Sequence, residues 1–443
     1  MFHSFFRKFF RLLDFFAALV IAFIGLLILL IRRCFGKFKL KPQKNCLLSI
    51  SKDGINRIIE CNPPGYLEWY FKRPHAEKTY VLYLGNEKSK VFRFGKKVVG
   101  INILMPLDRL KRFLPFTART MQQLWGLAIT LNVVRKISPK VVEVMFPTKL
   151  ALRAMLLKWL MPIKLVTQVR GNFNLIYYFN PFPTFFPFKI KTPFFEVLLI
   201  TWDNLISFLF YRSCDRVIGY NLNNMLSAIS SGASPQKAKL SRIKIDLSML
   251  NIQKQERNQL QELPQTGKII SLWSRLAPEK LVLETVQAFE KLCSMTKEEL
   301  YYVIIGDGPE KSKIQSYISN SPFQERFILL GYRNRAFIAQ TALHSSLAII
   351  SYGGSSLVEA VLLEVPVVAF DIEWHNELIR DGETGYLADF PDTAHMAEKM
   401  FKSINDPARS KEMVCSAKNL AQRMFDVKVI DLNESRYYLP LFE

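Results

Sequence analysis

The chain has 443 residues, enough for two domains that each bury a core, and 49% of them are hydrophobic. Its 60 Lys and Arg against 38 Asp and Glu leave a net charge of +22, which calls for an anionic counterpart: nucleic acid, an anionic membrane or a phosphorylated substrate. No RNA- or DNA-binding motif occurs, which sets nucleic acid aside, and six scattered cysteines with no close pair argue against a disulfide framework or a zinc site.

Much of the charge excess is local. The first 45 residues hold nine Lys or Arg against the single acid Asp14, and they flank an uncharged run of 17 residues from Phe15 to Ile31. About 20 apolar residues cross a bilayer as a helix. Residues 1–45 are therefore expected to be a membrane anchor with basic flanks, either single-pass or monotopic. The basic cluster is heavier on the carboxyl side, so the positive-inside rule puts the remainder of the chain in the cytoplasm.

From Cys46 the pattern becomes strands alternating with helices. CLLSIS at 46, TYVLYLG at 79, VVGINIL at 98, VVEVMF at 141, KLVTQV at 164 and DRVIGYN at 215 read as strands, with helices at 117–136 and 149–160. Such alternation predicts a mostly parallel sheet covered on both faces, here a first Rossmann-like domain over 46–245. The turn at Ser51-Lys-Asp53-Gly54 either approaches a ligand or is a plain turn. Residues 170–195 are crowded with phenylalanine and proline, which prevents a regular helix. They form either a loop dipping into a membrane interface or one folded over the domain's own core. The polar, glutamine-rich 246–267 suits a linker.

A second α/β domain is expected over 268–405, with strands KIISLWS, YYVIIG, FILLGY, LAIISY and VPVVAF. Residues 406–443 read as helical and long enough to cross back to the first domain. The segment Tyr352 to Gly385 is the most informative part. Gly353-Gly354-Ser355-Ser356 leads into a helix that Pro366 stops. Two glycines let the backbone approach a ligand, and the uncapped amides of a helix start favour a phosphate or diphosphate. Glu359, one turn later, is placed to accept hydrogen bonds from sugar hydroxyls. After the next strand, Asp371, Trp374, His375 and Glu377 gather polar groups at the carboxyl end of a parallel strand, where open α/β sheets bind ligands.

Five motifs in register give these residues a family resemblance. Ser274-Arg-Leu-Ala-Pro-Glu-Lys280, Gly306-Asp-Gly308-Pro309, Gly331, Gly353-Gly-Ser-Ser-Leu-Val-Glu359 and Asp381-Gly-Glu-Thr-Gly385 resemble glycosyltransferase family 4 in order and spacing. Val169-Arg170-Gly-Asn172 and Cys214-Asp-Arg-Val-Ile-Gly219 look like that family's acceptor-side domain. The resemblance implies a GT-B fold, two Rossmann-like domains facing each other across a cleft, and metal-independent, retaining transfer. Its co-substrate would be a nucleoside-diphosphate sugar, with no cofactor and no metal site.

Under that resemblance Arg275 and Lys280 hold and stabilise the departing diphosphate. Gly306, Gly308, Gly353, Gly354, Ser355, Ser356, Glu359, Asp371, Trp374, His375 and Glu377 line the donor site. Asp53, Gly54, Arg170 and Asn172 lie on the acceptor side, toward a glycan or lipid-linked acceptor. This sequence also departs from the family. Ser351 stands where a glutamate that contacts the donor sugar is common, Leu281 replaces a glycine after the lysine, and Arg170 takes the place of a histidine. These departures keep open a non-catalytic alternative, a membrane scaffold or nucleotide-sugar-binding protein on the same fold.

Overall fold

The computed structural model describes residues 45–51, 54–61, 66–73, 75–105, 115–145, 147–171, 193–245 and 253–443, with a few positions between 14 and 25. Most of the apolar run 15–31, most of the aromatic loop 170–195, and the predicted site residues Asp53 and Asn172 lie outside them. Among the described residues no helix is long and apolar enough to cross a membrane.

The chain divides into two compact units, and residues 428–443 belong to the first. The first unit runs β1 (Cys46–Ser51), α1 (Ile55–Cys61), α2 (Tyr66–Phe71), β2 (Lys78–Gly85), β3 (Lys90–Phe94) and β4 (Val98–Leu104). It continues with α3 (Pro115–Ile137), β5 (Val141–Met145), α4 (Pro147–Leu160), β6 (Lys164–Val169), α5 (Pro193–Ser213), β7 (Arg216–Gly219), α6 (Leu222–Ser230) and β8 (Ala238–Leu240). Its described strands form one sheet ordered β3-β4-β2-β1-β5-β6-β7-β8. All neighbours are parallel except the β3–β4 hairpin. β1 is buried at every position, as a central strand covered on both faces must be.

A buried polar cluster crosses this sheet. Glu143 on β5 receives Arg73 Nη2 at 3.0 Å, Arg73 Nε at 3.1 Å and Gln168 Nε2 from β6 at 3.1 Å, and the Tyr438 hydroxyl also donates to it. The guanidinium holds the Glu143 carboxyl below its usual range against the opposing effect of complete burial. Tyr438 arrives on α14 (Val427–Phe442), whose Tyr438, Leu441 and Phe442 pack with Leu47, Val141, Val166 and Ile218.

The second unit contains β9 (Lys268–Trp273), α7 (Val282–Met295), β10 (Leu300–Ile305), α8 (Lys311–Ser319), β11 (Phe327–Gly331), α9 (Arg335–Leu343) and β12 (Ser345–Ile350). After these come α10 (Ser355–Leu362), β13 (Val367–Phe370), α11 (His375–Leu378), β14 (Tyr386–Ala388), α12 (Thr393–Asn405) and α13 (Pro407–Met424). The described strands form a parallel sheet ordered β11-β10-β9-β12-β13-β14. Two apolar cores cover its faces, one around Phe289, Tyr302 and Phe370, the other around Trp273, Leu357 and Val361. Each such side chain contributes roughly 1.5–3 kcal/mol on burial.

The polar stretch expected to be a linker is, from residue 253, part of this unit. Leu260 and Leu263 are buried in its core, and the Arg257 guanidinium donates to the carbonyls of Pro264, Thr266 and Gly267. Two buried leucines three residues apart, with these hydrogen bonds, tie a glutamine-rich segment to the core.

Chain order fixes where a site can form. From β9 the sheet grows one way through β10 and β11; β12 then starts on the opposite side of β9. The loops leaving β9 and β12 therefore sit side by side at the strand ends, the switch point at which open α/β sheets take ligands.

Candidate active site

The loop leaving β9 carries Arg275 and Lys280, and the glycine pair lies on the loop leaving β12. Gly354 takes φ 107°, open to glycine but costly for other residues, and no side chain caps the start of α10 behind it. Its first amides thus face outward without an internal acceptor. The helix is held by Leu357, Val358, Ala360 and Val361, all buried. It ends where Glu364 turns left-handed and Val365 N–H donates to Ala360 O at 3.0 Å.

Lys280 lies against this turn. Its Nζ donates to Tyr352 O at 3.1 Å and Gly353 O at 3.2 Å, and sits 5.2 Å from the centre of the Tyr352 ring. A Cβ on Gly354 would stand 3.8 Å from the same Nζ. Burial lowers the Lys280 pKa; the charges of Glu373 and Glu279 oppose that shift and Arg275 reinforces it. Arg275 is more exposed and pairs with Glu279. The loop between them is braced by the turn after β10. A side chain at Gly306 or Gly308 would run into the carbonyl oxygens of Ser274 and Leu276, and Leu276 N–H donates to Asp307 O at 3.0 Å. Gly306 and Gly308 thus serve close backbone packing beneath Arg275.

Glu359 is buried and partly engaged. Trp273 Nε1 donates to its Oε2 at 3.0 Å, and Arg335 Nη2 lies 3.1 Å from Oε1. A carboxylate offers about four lone-pair sites, so two stay open for hydroxyl donors. Neither Trp273 nor Arg335 was singled out from the sequence. They come from β9 and α9, and no local spacing links them to Glu359.

The residues after β13 divide into two groups. Asp371 is exposed. Trp374 is instead in the core, its ring centre 6.3 Å from that of Phe425. His375 is fully buried, accepts Gly353 N–H at Nε2 at 2.8 Å and makes a 2.8 Å bond from Nδ1 to Phe370 O. The first bond requires a bare Nε2, so the proton is on Nδ1. Burial pushes the His375 pKa down to about 4. Trp374 and His375 support the glycine turn from behind, and Glu377 is paired with Arg242.

In the first unit Gly54 heads α1. A side chain there would meet the carboxylate of Glu87, which accepts Asn56 N–H at 3.1 Å and an amide hydrogen of Asn102. Arg170 follows β6 with its guanidinium 5.0 Å and 5.1 Å from the Tyr70 and Tyr220 ring centres. It donates to Gln168 Oε1 at 2.7 Å. Among the described residues no group of His, Cys, Asp and Glu could hold a metal ion.

Residues 253–420 match the family model of glycosyl transferases group 1. This segment is similar to a group 1 glycosyltransferase domain. Its curated relatives include the N-acetyl-alpha-D-glucosaminyl L-malate synthase of Bacillus anthracis, 27% identical over 40% of this chain and 46% of that protein. The Staphylococcus aureus poly(ribitol-phosphate) alpha-N-acetylglucosaminyltransferase is 29% identical over 35% of this chain and 32% of that protein. The chain thus spans less than half the length of these two relatives. A Campylobacter jejuni enzyme named as an N-acetylgalactosaminyltransferase acting on a diphospho-undecaprenol acceptor is 24% identical over 51% of this chain and 60% of its own. Among solved structures, Anabaena HepE in complex with UDP and glucose superposes with a TM-score of 0.64, covering 89% of this chain and 99% of that one at 16% identity. The domain therefore sits within an α/β GT-B-like fold of two Rossmann-like sheets.

Proposed function

We propose that this chain is a membrane-associated, retaining glycosyltransferase that moves a sugar from a nucleoside-diphosphate sugar to a glycan or lipid-linked acceptor at the cytoplasmic membrane face. The observation that carries this reading is Lys280 beside the uncapped, glycine-headed start of α10 at the switch point of the second sheet. A nucleoside diphosphate leaving group gains negative charge as its bond to the sugar breaks. Fixed cations and backbone amides stabilise that charge without a metal. Arg275 and Lys280 supply the cations, and Glu359 keeps capacity for ribose hydroxyls. Transfer to polymeric and lipid-diphosphate acceptors in the names of relatives supports the acceptor class.

The test is a thermal-shift screen with UDP, GDP, ADP and their sugar conjugates, followed by turnover of Lys280→Ala. A bound nucleotide raises the melting temperature with its concentration, and loss of the lysine should cut turnover by about a hundredfold or more. Wild-type turnover in the variant would remove Lys280 from the chemistry. Anomer analysis of the product and an EDTA control check the retaining and metal-independent parts. Ser351, buried and bonded to the Lys280 carbonyl, favours the second reading, a sugar-nucleotide-binding scaffold. Binding without turnover of any acceptor would support it.

A further inference from the structure

At the position eight residues before Glu359, where the resembled family places a sugar-contacting glutamate, Ser351 turns its hydroxyl inward onto the Lys280 carbonyl. No acid on the loop after β12 takes over that position. A carboxylate reaches the same corner from a different element. Glu373 lies on the loop after β13, and its Oε2 is 2.6 Å from where a Cβ on Gly353 would stand. Gly353 is the residue whose carbonyl binds Lys280 and whose amide is held by His375.

The backbone makes the arrangement notable on physical grounds. Glu373 has φ 56°, in the left-handed region that disfavours residues with a side chain. Leu281, also left-handed, buries its side chain in the core, which offsets the cost. Glu373 is only half-buried and lacks that compensation. Strain retained without a packing reason is found at ligand-binding positions.

We propose that Glu373 is the donor-sugar carboxylate of this chain, accepting hydrogen bonds from hydroxyl or amide N–H groups of the sugar and doing from the loop after β13 what residue 351 cannot. The assignment rests on the glycosyltransferase reading. Glu359, one turn into α10, and Glu373, against the glycine ahead of that helix, bracket its first amides. A diphosphate on those amides and Lys280 directs its ribose toward Glu359 and its sugar toward Glu373. An ionised carboxylate only accepts hydrogen bonds, so it selects O–H and N–H groups, and Lys280 beside it offsets its repulsion of the phosphates.

Isothermal titration of wild type, Glu373→Gln and Glu373→Gly with UDP, GDP and ADP and their glucose and N-acetylglucosamine conjugates tests this. Both variants should bind the sugar nucleotide roughly ten- to hundredfold more weakly, the range for a hydrogen bond to a charged group. Affinity for the free nucleoside diphosphate should hold or rise, because a negative charge beside Lys280 is gone. Glu373→Gly should also melt at a higher temperature, since glycine adopts this φ without strain, which separates lost recognition from lost folding. An unchanged ratio between the two ligands in both variants overturns the role of Glu373 alone. Failure of the wild type to bind any of these nucleotides overturns the transferase reading and this assignment with it.

Discussion

His375 is a residue whose sequence neighbours suggested a ligand contact and whose surroundings make it a brace. Its imidazole is neutral because burial disfavours the cation, and the bare Nε2 is what accepts Gly353 N–H. The stability consequence has a definite sign. Above about pH 6.5 the ring is neutral whether folded or unfolded; below it the unfolded chain binds a proton that the folded chain refuses until about pH 4. Stability should fall by about 1.4 kcal/mol per pH unit across that window, roughly 3 kcal/mol in all. Urea unfolding across the window, in wild type and His375→Gln, measures it: the variant should lose less, and equal losses would remove His375 as the cause. At this scale the sequence was legible where the candidate site lies on one continuous segment, as with the glycine turn and helix start from Gly353 to Glu359. It was silent about Trp273, Arg335 and Glu373, which meet that segment only through tertiary packing. It misled at Trp374, because an indole in a polar loop carries no mark of pointing inward.

Among elements, β9 to β13 of the second sheet were readable because parallel strands are unbroken apolar runs, while the three-residue edge strand β14 was not read. The hairpin strand β3 was missed: KVFRF is an edge strand with Val91 exposed, and only the turn at Gly95, φ 55°, announces it. The order β10-β9-β12 could not be read from composition, yet it is what sets the loop of Lys280 beside the loop of Gly353. The turn after β10 belongs to the same assembly. Gly306→Ala would push a methyl into the Ser274 carbonyl, a backbone atom that cannot step aside. We expect a loss of about 1–3 kcal/mol, typical of overpacking, with weakened nucleotide binding because Arg275 is the next residue. Chemical denaturation and a nucleotide titration of the variant measure the two effects. Wild-type values in both would mean that the loop tolerates a shift.

For the whole molecule, the proposed membrane association can be tested at one described feature of the first unit. Leu205, Phe208 and Leu209 on α5 fall three and four residues apart, on one face of the helix, and all are exposed. Apolar side chains so grouped suit an interface with lipid. Replacing the three with serine should reduce co-flotation of the protein with vesicles of anionic lipid, while thermal unfolding reports that the fold persists. Undiminished flotation would assign membrane binding to other parts of the chain. The residues of α14 carry a different consequence, one that concerns synthesis. Tyr438, Leu441 and Phe442 complete a core whose other walls, Leu47, Val141, Val166 and Ile218, leave the ribosome far earlier. A nascent first unit must therefore wait, with Glu143 still lacking its tyrosine partner, until the entire second unit has been translated. Only a chain that already contains its second unit can finish the unit made first, so a product cut short before α14 carries an open core.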